Sequence, residues 1–315
     1  MEENHHHHED HCTHHDHHGH HLSKYEQMFE QYDLHLHDEE VQAQARIIVS
    51  NGLKEHDQQD VRKFLFSTLE LTSLKVTDSE DTILQLTEKV NRFSDSNPDF
   101  PHLAAICVYP RFVSVVSNAL EADGVELSTV CGGFPSSQTF PELKTIETAL
   151  ALKDGATEID TVMPVGYFLA GDYEQVFDEV SEIKATCGEE ITLKVILEAG
   201  ALQSAVNIKK AALMAMYSGA DFIKTSTGKI EPGARPDAVL TMCQTIKEYY
   251  EKTGRKIGIK IAGGVKTTEQ ALSYYSIVHE ILGEEWLTPK WFRIGASDLA
   301  NALLSDITGE KVNVL

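Results

Sequence analysis

Residues 192–228 read TLKVILEAGALQSAVNIKKAALMAMYSGADFIKTSTG, and the parsing of this stretch decides the fold. It opens on a short apolar run, TLKVILEAG, and crosses a helical segment, SAVNIKKAALMAMYSG, that a glycine closes in the manner of a C-cap. It then returns to a second short run, FIKTSTG. Strand, crossover helix and strand make one parallel βα unit. The alternation continues both ways. Upstream lie LFSTLELTSL, AAICVYP, ELSTVCGGFP and EIDTVMP, and downstream KIGIKIAGG and FRIGAS, for eight strand candidates. Between them run helical segments such as RFVSVVSNALEAD, PELKTIETALALKDG, DYEQVFDEVSEIKATCG, PDAVLTMCQTIKEYYEKTG and TEQALSYYSIVHEILG. Eight units of one kind predict an α/β fold, a closed (β/α)8 TIM barrel over residues 61–315. A doubly wound open sheet is the runner-up, but no glycine-rich dinucleotide turn follows the first strand.

Ahead of the barrel, residues 22–60 carry a partly helical pattern and read as an N-terminal helical arm, with Gly52 as its candidate stop. Residues 1–21, MEENHHHHEDHCTHHDHHGHH, almost lack apolar side chains and are expected to be disordered. Imidazoles at this density bind transition metals weakly, but no tetrahedral ligand spacing stands out, so a polar extension without chemistry is the plainer reading. With 27 basic and 49 acidic side chains, the net charge of −22 repels nucleic-acid phosphates and anionic membrane surfaces, which argues against both as partners. The five cysteines, Cys12, Cys107, Cys131, Cys187 and Cys243, are odd in number and widely spaced, which suggests neither a disulfide framework nor a C-x-x-C metal site. Cys107 and Cys131 read as small core residues. A reducing, cytoplasmic setting fits this usage, as does the lack of a signal-type apolar region or a membrane-length apolar run.

In a barrel the site lies at the C-terminal ends of the strands. Ionisable residues inside strands are therefore informative, since an unpaired buried charge costs several kcal/mol. Strand four offers Asp160, strand five Lys194 and Glu198, strand six Lys224, and strand seven Lys260. A structural ion-pair network is one reading of any single member. The set is more cationic than a structural pair requires, and it suits an enzyme that needs a neutral amine, since burial and a neighbouring ammonium both lower a lysine pKa.

In order and spacing, AAICVYPRF, EIDTVMPVG, LKVILEAG, DFIKTSTGK, GIKIAGGVKT and WFRIGAS closely resemble the motifs of the deoxyribose-phosphate aldolase family, from about Leu65 to Leu304. The resemblance implies a class I, Schiff-base aldolase. Such a lyase reversibly cleaves 2-deoxy-D-ribose 5-phosphate to D-glyceraldehyde 3-phosphate and acetaldehyde in deoxyribonucleoside catabolism. Aldehydes and sugar phosphates are its partners; no cofactor and no active-site metal is implied. Lys224 resembles the Schiff-base lysine, and Lys260 the second lysine whose charge keeps it neutral. Asp160 resembles the carboxylate that moves protons with Lys260 and water; Lys194 and Glu70 resemble supporting groups. The phosphate is expected near Gly228, Lys229, Gly263, Gly264, Gly295 and Ser297, where glycine turns let backbone N–H groups approach an anion. A homo-oligomer is compatible with the sequence, which does not fix one.

Departures from the family pattern sharpen these expectations. Asp298 follows Ser297 where a small hydroxyl residue is usual, and a carboxylate about 5 Å from the phosphate would cost roughly 3 kcal/mol at an effective dielectric of 20. Pointing away, it would act at a helix N-terminus instead. Relaxed use of unphosphorylated aldehydes follows from the first case. Glu70 stands where an aspartate is common, Ile261 replaces a proline, and the terminal EKVNVL lacks the tyrosine of some members. Two alternatives remain: another Schiff-base barrel enzyme such as a transaldolase, or a metal-binding protein that works through its histidine-rich arm.

Overall fold

The computed structural model describes residues 22–315, so the expected disorder and metal affinity of residues 1–21 lie outside the described residues. Eight strands, β1 Leu69–Thr72, β2 Ala105–Val108, β3 Glu126–Cys131, β4 Glu158–Val162, β5 Thr192–Ile196, β6 Phe222–Lys224, β7 Gly258–Ala262 and β8 Phe292–Ala296, pair in parallel in chain order, and β8 returns to β1. This is the expected (β/α)8 barrel, and closure removes the open-sheet reading.

The helices in chain order are α1 Lys24–Phe29, α2 Asp38–Glu55, α3 Gln59–Ser67, α4 Glu80–Ser96, α5 Val113–Ala119, α6 Pro141–Lys153, α7 Val165–Leu169, α8 Tyr173–Cys187, α9 Ala199–Leu202, α10 Ala205–Tyr217, α11 Pro236–Thr253, α12 Thr268–Leu282 and α13 Leu299–Thr308. Local chemistry sets their ends. The Ser79 and Thr267 hydroxyls cap α4 and α12 in reciprocal capping boxes. Proline opens α6 and α11, and Gly254 closes α11 at φ 71°. No helix among the described residues is long and apolar enough to cross a membrane.

Three local expectations change. Gly52 does not stop its helix, because α2 runs on to Glu55. A Cβ at Gly52 would lie 2.1 Å from Ser276 Oγ, so the glycine lets α2 press against α12. LFSTLELTSL is a strand only over Leu69–Thr72; Leu65 and Phe66 close α3, and the Thr68 hydroxyl donates to the Leu65 carbonyl at the turn. Glu198 is not on a strand, since β5 ends at Ile196 and Glu198 has φ 56° at the entrance to α9. The pattern reading also omits α4, whose buried Ile83, Thr87 and Val90 fall at helical spacing in a charged stretch.

Register positions the site. It sets Asp160 beside Lys194, Lys224 beside Lys260, and Lys260 beside Arg293. The intervening Ile159, Val195, Ile223 and Ile259 join the apolar core that seals barrel to helices.

Candidate active site

Asp160 is the hub. Its Oδ2 accepts from Lys224 Nζ and from Lys260 Nζ, both at 2.7 Å, while Oδ1 accepts from Lys194 Nζ at 3.0 Å and from Ser128 Oγ at 3.2 Å. Below it, Lys194 also donates to Glu158 at 2.6 Å and lies 3.4 Å from Glu70, and Lys260 donates to Glu70. Arg293 spans the barrel, donating to both Glu158 oxygens at 3.0 and 3.2 Å and to Glu70 at 3.2 Å. All seven charged groups, and Ser128 with them, are buried. The longer reach of Glu70 is used, because one carboxylate serves Lys260, Lys194 and Arg293 together.

Four basic side chains, Lys194, Lys224, Lys260 and Arg293, thus face three carboxylates, Glu70, Glu158 and Asp160. The cluster is neutral if one basic group gives up its proton, and the surroundings select Lys224. Lys194 has three carboxylate partners, Lys260 two, and Lys224 only Asp160. Burial lowers the Lys224 pKa and the Lys260 charge lowers it further, against the pull of Asp160. Burial alone would also lower Lys260 and Lys194, but their carboxylates outweigh it and both are raised. Asp160, which burial alone would raise, is held well below the usual carboxylate range by Lys194, Lys224 and Lys260. Desolvation therefore leads and Lys260 assists.

Lys224 is also the cluster's outlet. Of the three lysines only Lys224 lines a cavity of about 200 Å³ at the strand ends. The same cavity collects Gly228, Lys229, Gly263, Gly264, Gly295 and Ser297, all six expected phosphate residues. Thr72, Lys75 and Lys266 join them, outside the expected set although Lys266 falls in the GIKIAGGVKT motif just after the Gly263–Gly264 turn. Gly263 has φ 98°, and a Cβ there would lie 3.1 Å from the Gly233 backbone; at Gly295 it would lie 3.0 Å from Lys260 Cε, so this glycine leaves room for the lysine stem. Lys229 donates to the Leu74 carbonyl across the mouth. Glu198, whose pKa burial raises, binds Thr227 N at 3.2 Å and Oγ1 at 2.6 Å and so fixes the turn after β6. Asp298 does not line the cavity and caps no backbone N–H; its carboxylate accepts the Ser297 hydroxyl at 3.0 Å.

Glu158 and Arg293 are the residues the sequence reading overlooked, although each is an ionisable residue inside a strand, the signal that exposed Lys224. Cys107 and Cys131 are buried, and burial raises both thiol pKa values, as expected of core cysteines. Donor atoms of Glu70, Cys107 and Asp160 lie within 4.8 Å of one another, but the two carboxylates already hold Lys194 and Lys260, which would face any added cation.

Residues 70–279 match the family described as DeoC/LacD family aldolase. The chain is 38% identical over 250 residues to a putative deoxyribose-phosphate aldolase of Caenorhabditis elegans, covering 79% of this chain and 82% of that protein. It is 46% identical over 206 residues to the deoxyribose-phosphate aldolase of Mus musculus, covering 65% of this chain and 63% of the mouse protein. Among solved structures, the apo form of a putative deoxyribose-phosphate aldolase from Toxoplasma gondii ME49 superposes with a TM-score of 0.71 at 26% identity, over 80% of this chain and 98% of that one. The deoxyribose phosphate aldolase of Aeropyrum pernix, described as a unique tetrameric structure, does so with a TM-score of 0.64 at 27% identity, over 82% and 97%. The chain belongs to the DeoC/LacD aldolase family and is a lyase of the class I aldolase type.

Proposed function

We propose that the chain cleaves 2-deoxy-D-ribose 5-phosphate reversibly to D-glyceraldehyde 3-phosphate and acetaldehyde through a Schiff base on Lys224, serving deoxyribonucleoside catabolism. The observation that carries this reading is the asymmetry of the lysines. Of the three clustered lysines only Lys224 borders the cavity, has a single carboxylate partner and has its pKa lowered by burial.

The neutral Lys224 amine adds to the C1 aldehyde and expels water, leaving a protonated imine. Loss of the C3 hydroxyl proton then breaks the C2–C3 bond. Its electron pair flows into the imine nitrogen to give the enamine, and glyceraldehyde 3-phosphate departs. Asp160, bonded to both Lys224 and Lys260, carries protons with Lys260 and water, first from the C3 hydroxyl and then to the enamine carbon. Hydrolysis of the resulting imine frees acetaldehyde and restores Lys224. The imine is the electron sink, so the route calls for no metal or organic cofactor. Lys194, Glu70, Glu158 and Arg293 hold the charge balance that leaves Lys224 unprotonated. Lys229, Lys266 and Lys75, with the backbone at Gly228, Gly263, Gly264, Gly295 and Ser297, face the 5-phosphate.

Borohydride trapping with acetaldehyde, followed by peptide mapping, tests the assignment. A label on Lys224 that disappears in Lys224→Ala and persists in Lys229→Ala is expected; a label only elsewhere overturns it.

A further inference from the structure

Glu198 is a buried carboxylate that the charge cluster does not use. It is 4% exposed, and its two oxygens meet no basic group among the described residues, only Thr227. Its backbone is left-handed, φ 56° and ψ 58°, a conformation that residues with a Cβ rarely adopt. The neighbours hold it there. Leu197 N donates to the Lys224 carbonyl and Ala199 N to the Thr225 carbonyl, both at 2.9 Å, so the bend at Glu198 is stitched to β6 on either side. Just beyond it, a Cβ at Gly200 would strike the Pro232 carbonyl, and one at Gly233 would strike the carbonyl of Gly263 in the cavity wall. Backbone strain of this kind persists where the surroundings over-determine it, and it gathers at functional sites.

We propose that Glu198 is a positioning residue for phosphate, sorting the donors of the turn after β6 so that those left over serve a phosphoryl group. The proposal rests on the reading of the cavity as the seat of the 5-phosphate. A carboxylate only accepts, so both Thr227 donors are drawn to it, the N–H to Oε1 at 3.2 Å and the hydroxyl to Oε2 at 2.6 Å. With its proton committed, the Thr227 oxygen offers a lone pair to the Lys229 N–H at 3.1 Å. The N–H groups of Thr227 and Lys229 are thus spent. Between them the N–H of Gly228, at φ 75° and on the cavity wall, has no partner among the described residues. That unspent N–H, next to the Lys229 side chain, suits an anion. Glutamine at 198 would not sort the donors in this way, because its amide also donates and would release the Thr227 hydroxyl proton. Glu198 itself does not line the cavity, so it acts through Thr227 without touching substrate.

Calorimetry of the full chain with inorganic phosphate reads this seat without any turnover. Glu198→Gln is expected to weaken phosphate binding about 10-fold, and to lower by the same factor the ratio of kcat/KM for 2-deoxyribose 5-phosphate over that for 2-deoxyribose, chiefly through KM. Thr227→Val removes the hydroxyl through which Glu198 acts and should do likewise. The double variant should then bind phosphate no more weakly than the weaker single one. Unchanged phosphate affinity in Glu198→Gln with a native circular dichroism spectrum overturns the proposal, as does a double variant whose two losses multiply. An equal fall in kcat/KM for both substrates also overturns it, because the reaction and not the phosphate seat would have been damaged. Borohydride labelling keeps the two readings apart: a wild type that binds phosphate with the expected Glu198 dependence but is not labelled at Lys224 upholds the role of Glu198 and breaks only the Schiff-base assignment.

Discussion

Two lysines in this molecule are equally hidden and differently employed. Lys144, on α6, is 2% exposed and Lys224, on β6, is 3% exposed. Lys144 has a carboxylate to itself: it donates to Glu179 at 2.5 Å and to Ser137 Oγ at 2.7 Å, and Gln175 satisfies the other Glu179 oxygen at 2.8 Å. Lys224 shares Asp160 with Lys260, Lys194 and Ser128. Burial by itself therefore does not distinguish the two lysines. Competition for one carboxylate does, together with an opening onto a cavity. The α6–α8 pair is a closed structural bridge, whereas the barrel cluster holds one more basic group than it has carboxylates.

Removing each lysine should separate the two roles. Lys224→Met is expected to lower turnover of 2-deoxyribose 5-phosphate by at least about 10³-fold, since no other amine borders the cavity from within the cluster. Its thermal stability should rise. A lysine pKa lowered on folding means that the unfolded chain binds more protons, so wild type is penalised at neutral pH and the penalty fades as pH approaches the ordinary lysine value. Lys144→Met should do the reverse, keeping activity and costing about 3–5 kcal/mol by stranding Glu179. If calorimetry and steady-state kinetics returned the opposite pairing, the comparison would be broken.

The charge balance predicts a smaller effect at a distance. Arg293 touches no cavity-lining group, yet Arg293→Met deletes one cation from a cluster of three carboxylates. Lys224 should then retain its proton to higher pH. Because the proposed mechanism uses the neutral amine, the acid limb of kcat/KM should move upward, with activity at pH 7 falling on the order of 10- to 100-fold and recovering above pH 9. Lys260→Met should shift the same limb, without that full recovery because it also removes a proton carrier. A pH profile of Arg293→Met that is lowered but not displaced would make Arg293 a packing residue only.

Much of this was legible in the sequence for identifiable reasons. Parallel strands covered on both faces read as short apolar runs, so charges within them, Asp160, Lys194, Lys224 and Lys260, stood out. Arg293 and Glu158 carried the same signal and were passed over because each sits beside a more conspicuous feature, the GAS turn and Asp160. Lys75 gave none, since a loop lysine declares nothing until the fold brings it to the cavity, whereas Lys266 stood in the GIKIAGGVKT motif beside the Gly263–Gly264 turn. Glu198 misled because its strand ends two residues earlier, where the chain turns left-handed.

At the cavity mouth effects should be graded rather than absolute, since its cations are spread over separate loops and several backbone groups would share the proposed phosphate. Lys229→Ala or Lys266→Ala is expected to raise KM for the phosphorylated substrate about 10-fold, the equivalent of 1.4 kcal/mol, with kcat nearly intact. Asp298 should matter least. The roughly 3 kcal/mol of repulsion expected for a carboxylate about 5 Å from the phosphate assumes a protein-like dielectric, and water reduces that to about 0.8 kcal/mol. Asp298 and Ser297 are both exposed, so the lower figure applies. The Ser297 hydroxyl, which points to Asp298, adds to it, since it becomes free to turn to the phosphate once the carboxylate is gone. Asp298→Ser should therefore raise the preference for 2-deoxyribose 5-phosphate over 2-deoxyribose by about 4-fold in kcat/KM, and less at high salt. A preference that does not move would show that the Asp298 carboxylate is spent on Ser297 and leaves the phosphate untouched.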